Sequence, residues 1–274
     1  MTIYQTYDKE PQTTIYWCPT GELTFLPIHA AGDYTKTEKG HKVYDFVASS
    51  YTPNVSSLLQ PVLQRVSGPA TQLLTVAVAA PNGQAVIHGT DDEIMRISRE
   101  VMADPNCEMT TLSGQSATLD NVTAAMRKAS WIHFACHGVQ SAEHPLESAL
   151  LLSGSDRLRL SDIISLDLPT AELAFLSACQ TATGIGSLPS ESMHLGAGMN
   201  LAGFRSVIAT LWSIADSHAP EVAAVAYQEL LKDRTMDQKT INGAQALHKA
   251  VEVLRKKVGY EDFLAWVPYI HIGI

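Results

Sequence analysis

The stretch "WIHFACHG" (Trp131–Gly138) decides how this chain is read, together with its echo "LAFLSACQTATG" (Leu173–Gly184). Each is a short apolar run that ends abruptly in a reactive side chain followed by small or polar residues. The first delivers His137 beside Gly138, and the second delivers Cys179. Read as strands buried on both faces, the two runs leave an imidazole and a thiol at their carboxyl ends.

The segments on either side fit that reading. "LLTVAVAA", from Leu73, is a continuous apolar strand closed by Pro81-Asn82-Gly83. "TDDEIMRISREVMADP" predicts a helix with Thr90 as N-cap, acids in its first turn and a stop at Pro105. A short strand from Cys107 and a helix starting near Thr118 or Asp120 precede Trp131. After Gly138, "SALLLSGSDRLRLSDIISLDL" reads as a surface hairpin with a helical turn. "SESMHLGAGMNLAGF" predicts a helix capped by Ser190, and "SVIATLWSI" a strand. Two helices follow, and "WVPYIHIGI" is a closing strand. Strands alternating with helices imply an α/β fold with a mostly parallel sheet and right-handed crossovers. Residues 1–72 read as an N-terminal extension, in which "TIYWCPTGELTFLPIHAA" predicts two strands around Pro19-Thr20-Gly21. Residues 73–274 are the core.

Composition narrows the function. The 274 residues are 46% hydrophobic and carry a net charge of −9, which argues against a nucleic-acid binder or a basic membrane-surface protein. No apolar run approaches the roughly 20 residues that span a bilayer. The opening "MTIYQTYDKEPQ" lacks the layout of a signal peptide. Four scattered cysteines (Cys18, Cys107, Cys136, Cys179) are too few for a disulfide framework and suggest reduced thiols in the cytoplasm.

Ligands of open parallel sheets bind outside the carboxyl ends of the strands, where His137 and Cys179 both fall. An imidazolium beside a cysteine favours the thiolate at neutral pH, and histidine can then protonate a leaving amine. The backbone N–H groups of Gly138 and Cys179 are natural oxyanion donors. The plainer alternative is that cysteine on a strand is core packing. That alternative suits Cys136, which should point to the opposite side from His137. His133, Cys136, His137 and His144 raise zinc, but no second cysteine pair follows at finger-like spacing, so no metal and no cofactor is expected.

At these residues the sequence resembles a known family. "HFACHG", "ALLL…LRLSDI", "LAFLSACQTATG", "AGFRSVIATLWSIAD" and "WVPYIHIGI", with "GELTFLPIHAAG" and "SYTPNVSSLL" upstream, look like a CHAT domain. This is a caspase-like cysteine peptidase module related to separases and often carried behind tetratricopeptide repeats. The resemblance implies a caspase–haemoglobinase-like sheet flanked by helices on both faces. It implies His137 as base, Cys179 as nucleophile and Gly138 in the oxyanion hole. It leaves two arrangements open, a stand-alone member or a chain whose regulatory region, of repeats or another kind, lies outside it.

The residue before the scissile bond usually sets the specificity of such enzymes. The segment after Cys179 offers acids, Glu191 and Asp216, before any free arginine, so an acidic pocket for a substrate Arg or Lys is expected. Glu191 also suits a helix first turn, and Asp216 a helix cap. The glycines of "HLGAGMNLAG" fit close helix–sheet packing better than a nucleotide site. The reading is therefore a cytoplasmic endopeptidase acting on a protein substrate after a basic residue, with a non-catalytic scaffold of the same fold as the alternative.

Overall fold

The structure, a computed structural model, describes residues 13–59, 70–81, 84–139, 141, 143–177, 179–180, 190–235 and 241–274. The chain opens with β1 (Thr14–Trp17), three 3-10 turns, β2 (Ala48–Tyr51) and the helical turn α1 (Ser56–Leu59). Regular alternation follows in β3 (Thr71–Ala77), α2 (Thr90–Met102), β4 (Cys107–Ser113), α3 (Leu119–Met126) and β5 (Trp131–Ala135). Next come β6 (His137–Val139), β7 (Ala149–Leu151), β8 (Arg157–Arg159) and α4 (Leu160–Ser165). The last part comprises β9 (Leu173–Leu176), β10 (Cys179–Gln180), α5 (Ser190–Leu201), β11 (Ser206–Thr210), α6 (Ala219–Thr235), α7 (Gly243–Val258), α8 (Phe263–Trp266) and β12 (Tyr269–Gly273).

Among the described residues, eight strands form the central sheet in the order β1-β2-β12-β11-β9-β5-β3-β4. Every pairing is parallel except β11 with β12. A small second sheet runs β10-β6-β7-β8. Alternate residues of the inner strands feed two separate cores, which is why their sequences are mostly apolar. Ile132, Phe134, Ala174 and Val207 pack against Val122 and Met126 of α3, Ile163 of α4, and Leu195 and Met199 of α5. Trp131, Leu173, Phe175 and Ile208 pack on the other face against α2, α6 and α7. The fold is α/β, with helices on both faces of a mostly parallel sheet. No described helix is long and apolar enough to cross a membrane.

The glycines of α5 serve packing, as expected. A Cβ on Gly198 would lie 2.0 Å from Leu160 Cδ1, and one on Gly196 would lie 2.7 Å from Ile272 Cδ1.

Three local expectations are corrected. The N-terminal segment is not a hairpin: β1 pairs in parallel with β2, and "GELTF" forms a 3-10 turn. Gly21, at φ +59°, bends the chain there, and Leu23 and Leu26 are exposed, so the apolar residues mark no buried face. The helix α2 takes Gly89 as N-cap, while the buried Thr90 hydroxyl donates to Ile87 O at 3.1 Å. "WIHFACHG" is two strands: β5 ends at Ala135 and β6 begins in the other sheet.

Candidate active site

The geometry of the site begins in the core. β5 and β9 pair in parallel with Trp131 opposite Leu173 and Phe134 opposite Leu176. Both strands then leave the central sheet, and their continuations pair again in the small sheet. There Cys179 is in register with His137, and Gln180 with Gly138. The partner lies 42 residues further along the chain in both sheets, so the register survives the break. Neighbouring strands lie about 4.8 Å apart, so the backbones of His137 and Cys179 run side by side. The structure describes the strand position of Cys179 and the place of Glu191 in the first turn of α5. Their side chains fall outside what is described.

The His137 ring is buried, and its Nε2 lies 2.7 Å from Ala85 O. A carbonyl oxygen only accepts, so Nε2 carries a proton, and in the neutral ring Nδ1 holds the lone pair. Nδ1 is buried with no hydrogen-bond partner among the described residues. Ala85 belongs to the segment between β3 and α2. In it, Ile87 N–H donates to Ala79 O at 2.8 Å. His88 N–H donates across to Asp216 Oδ2 at 3.0 Å. Asp216 lies in the turn between β11 and α6, three residues before the helix starts at Ala219.

The contact from Ala85 could not be found in the sequence, because a backbone carbonyl has no side-chain signature. The same is true of the His88 amide. The other candidate residues are not drawn to this place. His133 Nε2 lies 3.2 Å from Glu93 Oε1, both side chains being buried, with the Phe175 and Tyr227 rings close by. Cys136 is fully buried in the opposite core with Phe134, as its packing role requires. His144 is exposed. No group of three or more His, Cys, Asp or Glu among the described residues is placed to hold a metal ion. Trp212 is partly buried and packs against both cores, a wall between them.

A parallel sheet with helices on both faces and a small side sheet at its carboxyl edge is a caspase-like fold, and solved structures bear this out. Gingipain R of Porphyromonas gingivalis, described as an Arg-specific cysteine proteinase, superposes with a TM-score of 0.51 at 13% identity, over 89% of this chain and 58% of that one. The Saccharomyces cerevisiae separase–securin complex gives 0.53 at 13% identity, over 83% of this chain and 14% of that one. This chain therefore corresponds to little more than half of the first protein and a small part of the second. The sequence matches the CHAT domain family over residues 2–274, and the chain belongs to that family. Among curated proteins, none matches it significantly.

Proposed function

We propose that the chain is a cysteine endopeptidase in which His137 and Cys179 act as a dyad on a protein substrate. The observation that carries this reading is the parallel register of Cys179 with His137 at the carboxyl ends of two core strands. Residues paired in register across parallel strands belong to the same pleat. With Nε2–H held by Ala85 O, the Nδ1 lone pair is free to take the thiol proton of Cys179. The thiolate attacks the substrate carbonyl carbon, and the N–H groups of Gly138 and Cys179 receive the developing oxyanion. The imidazolium then protonates the leaving amine, and water hydrolyses the thioester with His137 again as base.

Asp216 and Glu191 form an acidic pocket for an Arg or Lys side chain ahead of the scissile bond. Asp216 follows β11, whose neighbour in the sheet is β9. It keeps Oδ1 available beside the Oδ2 bonded to His88. The Arg specificity in the description of gingipain R agrees with this chemistry. The enzyme works in the cytoplasm, under the control of a partner.

The test is site-resolved labelling of Cys179 by an arginyl electrophile and by an aspartyl one. Arginyl labelling that Cys179→Ala abolishes, and that Asp216→Asn weakens, is expected. Labelling by neither reagent in folded protein would favour a scaffold of the same fold. Preference for the aspartyl reagent would overturn the acidic pocket.

A further inference from the structure

We propose that Asp216 is also a positioning residue: through the 84–89 segment it holds the Ala85 carbonyl against His137 and so selects the ring nitrogen that acts as base. This rests on the dyad reading for its consequence, but not for its geometry. Ala85, Val86 and His88 are exposed, so no core packing fixes their backbone. The bonds from Ile87 N–H to Ala79 O and from Thr90 Oγ1 to Ile87 O tie the segment only to the chain on either side of it, after β3 and at the start of α2. The bond from His88 N–H to Asp216 Oδ2 comes from a different element, the turn after β11. The next residue tightens the same junction: a Cβ on Gly89 would lie 2.3 Å from Asp216 O. Gly89 has φ −80°, so its lack of a side chain serves the close approach and not a special backbone conformation.

The chain of contacts runs from Asp216 to His88, along the backbone to Ala85, and from Ala85 O to His137 Nε2. Without the carbonyl, neutral imidazole may carry its proton on either nitrogen. A ring protonated at Nδ1 has no lone pair there to accept the thiol proton. Asp216 thus acts by accepting a hydrogen bond, a role separable from the charge that would read a basic substrate.

Three variants separate these roles: Asp216→Ala, Asp216→Asn and Gly89→Ala. The readouts are the nitrogen-15 shifts of the His137 ring, which report the tautomer, and the rate of Cys179 alkylation by iodoacetamide followed by mass spectrometry. Thermal melts establish that each variant is folded. Asp216→Ala and Gly89→Ala should lose the pure Nε2–H signature and slow alkylation about 3- to 10-fold, the worth of one neutral hydrogen bond. Asp216→Asn keeps an amide oxygen for His88 N–H and should keep the parent's tautomer, even where it loses preference for the arginyl reagent. If Asp216→Ala is unstable, Gly89→Ala carries the test alone. An unchanged tautomer in Asp216→Ala or Gly89→Ala overturns the proposal. So does an Asp216→Asn protein that behaves like Asp216→Ala, because charge would then be the agent. If His137→Ala leaves alkylation unchanged while the tautomer responds as expected, the positioning contact stands and the dyad falls.

Discussion

Lowering the pH should weaken this fold through His271, a residue far from any proposed chemistry. His271 is buried on β12, where its Nδ1 and Nε2 each lie 2.8 Å from a serine hydroxyl, Ser50 and Ser206 respectively. Ser50 gives its one hydroxyl proton to Gly273 O at 2.7 Å, so it accepts from Nδ1–H. Nε2 therefore carries the lone pair and accepts from Ser206. Burial pushes the His271 imidazole down from 6.5 to about 3. The first turn of α7 closes over the ring, since a Cβ on Gly243 would sit 2.7 Å from Nε2. Between pH 6.5 and pH 3 the unfolded state binds more protons than the folded one, so stability falls as pH falls through that window. At pH 5, 1.5 units below the unfolded value, the loss is about 2 kcal/mol. Typical total stabilities are about 5–15 kcal/mol, so the effect is measurable. His271→Asn keeps a donor for Ser50, loses the bond to Ser206 and cannot titrate. It should be less stable than the parent at pH 8 by about 1–3 kcal/mol. Urea denaturation of both proteins at pH 8, 6 and 5 gives the comparison. The gap should shrink by about 2 kcal/mol between pH 8 and pH 5. His29, held down to about 4 mainly by burial, is present in both proteins and cancels. Parallel stability curves across this range would refute the argument.

Two further outcomes test the packing around the site. Cys136→Ala should cost about 1 kcal/mol in denaturation and leave Cys179 labelling intact; lost labelling at unchanged stability would mean that Cys136 belongs to the chemistry. Glu93→Ala should cost about 1–3 kcal/mol, because it removes the buried carboxylate 3.2 Å from His133 Nε2. A loss under about 1 kcal/mol would show that this pair contributes little.

The central strands were legible because burial on both faces leaves few polar positions along them, such as His133 in β5 and Thr75 in β3. Their order was less so, since β12 pairs with both β11 and β2 and thereby joins the N-terminal strands to the same sheet. The 3-10 turn at Gly21–Phe25 was misread because the exposed Leu23 and Leu26 make the segment look as apolar as a strand. The break at Cys136 left no trace in the sequence, because the residues on both sides of it stay buried while only their hydrogen-bond partners change. His137 and Cys179 stood out as reactive side chains ending apolar runs. The partners of His137 and Asp216 did not, because a carbonyl and an amide supply them.

The register of the two reactive positions is protected by the cores and not by the site. A one-residue slip of β9 against β5 would turn every side chain of β9 to the opposite face. Phe175 would leave the core it shares with Tyr227, and Ala174 and Leu176 would leave the core they share with Phe134. Each misplaced large side chain leaves a cavity in one core, at about 2–5 kcal/mol, and overpacks the other, at about 1–3 kcal/mol. Because the same 42-residue offset continues past the break, that penalty also fixes Cys179 beside His137. The residues at the strand ends are thereby released from any structural duty in setting their own alignment. Substitutions at His137 or Cys179 should accordingly alter chemistry with little change in fold, whereas core changes several residues upstream can misalign the pair without touching it.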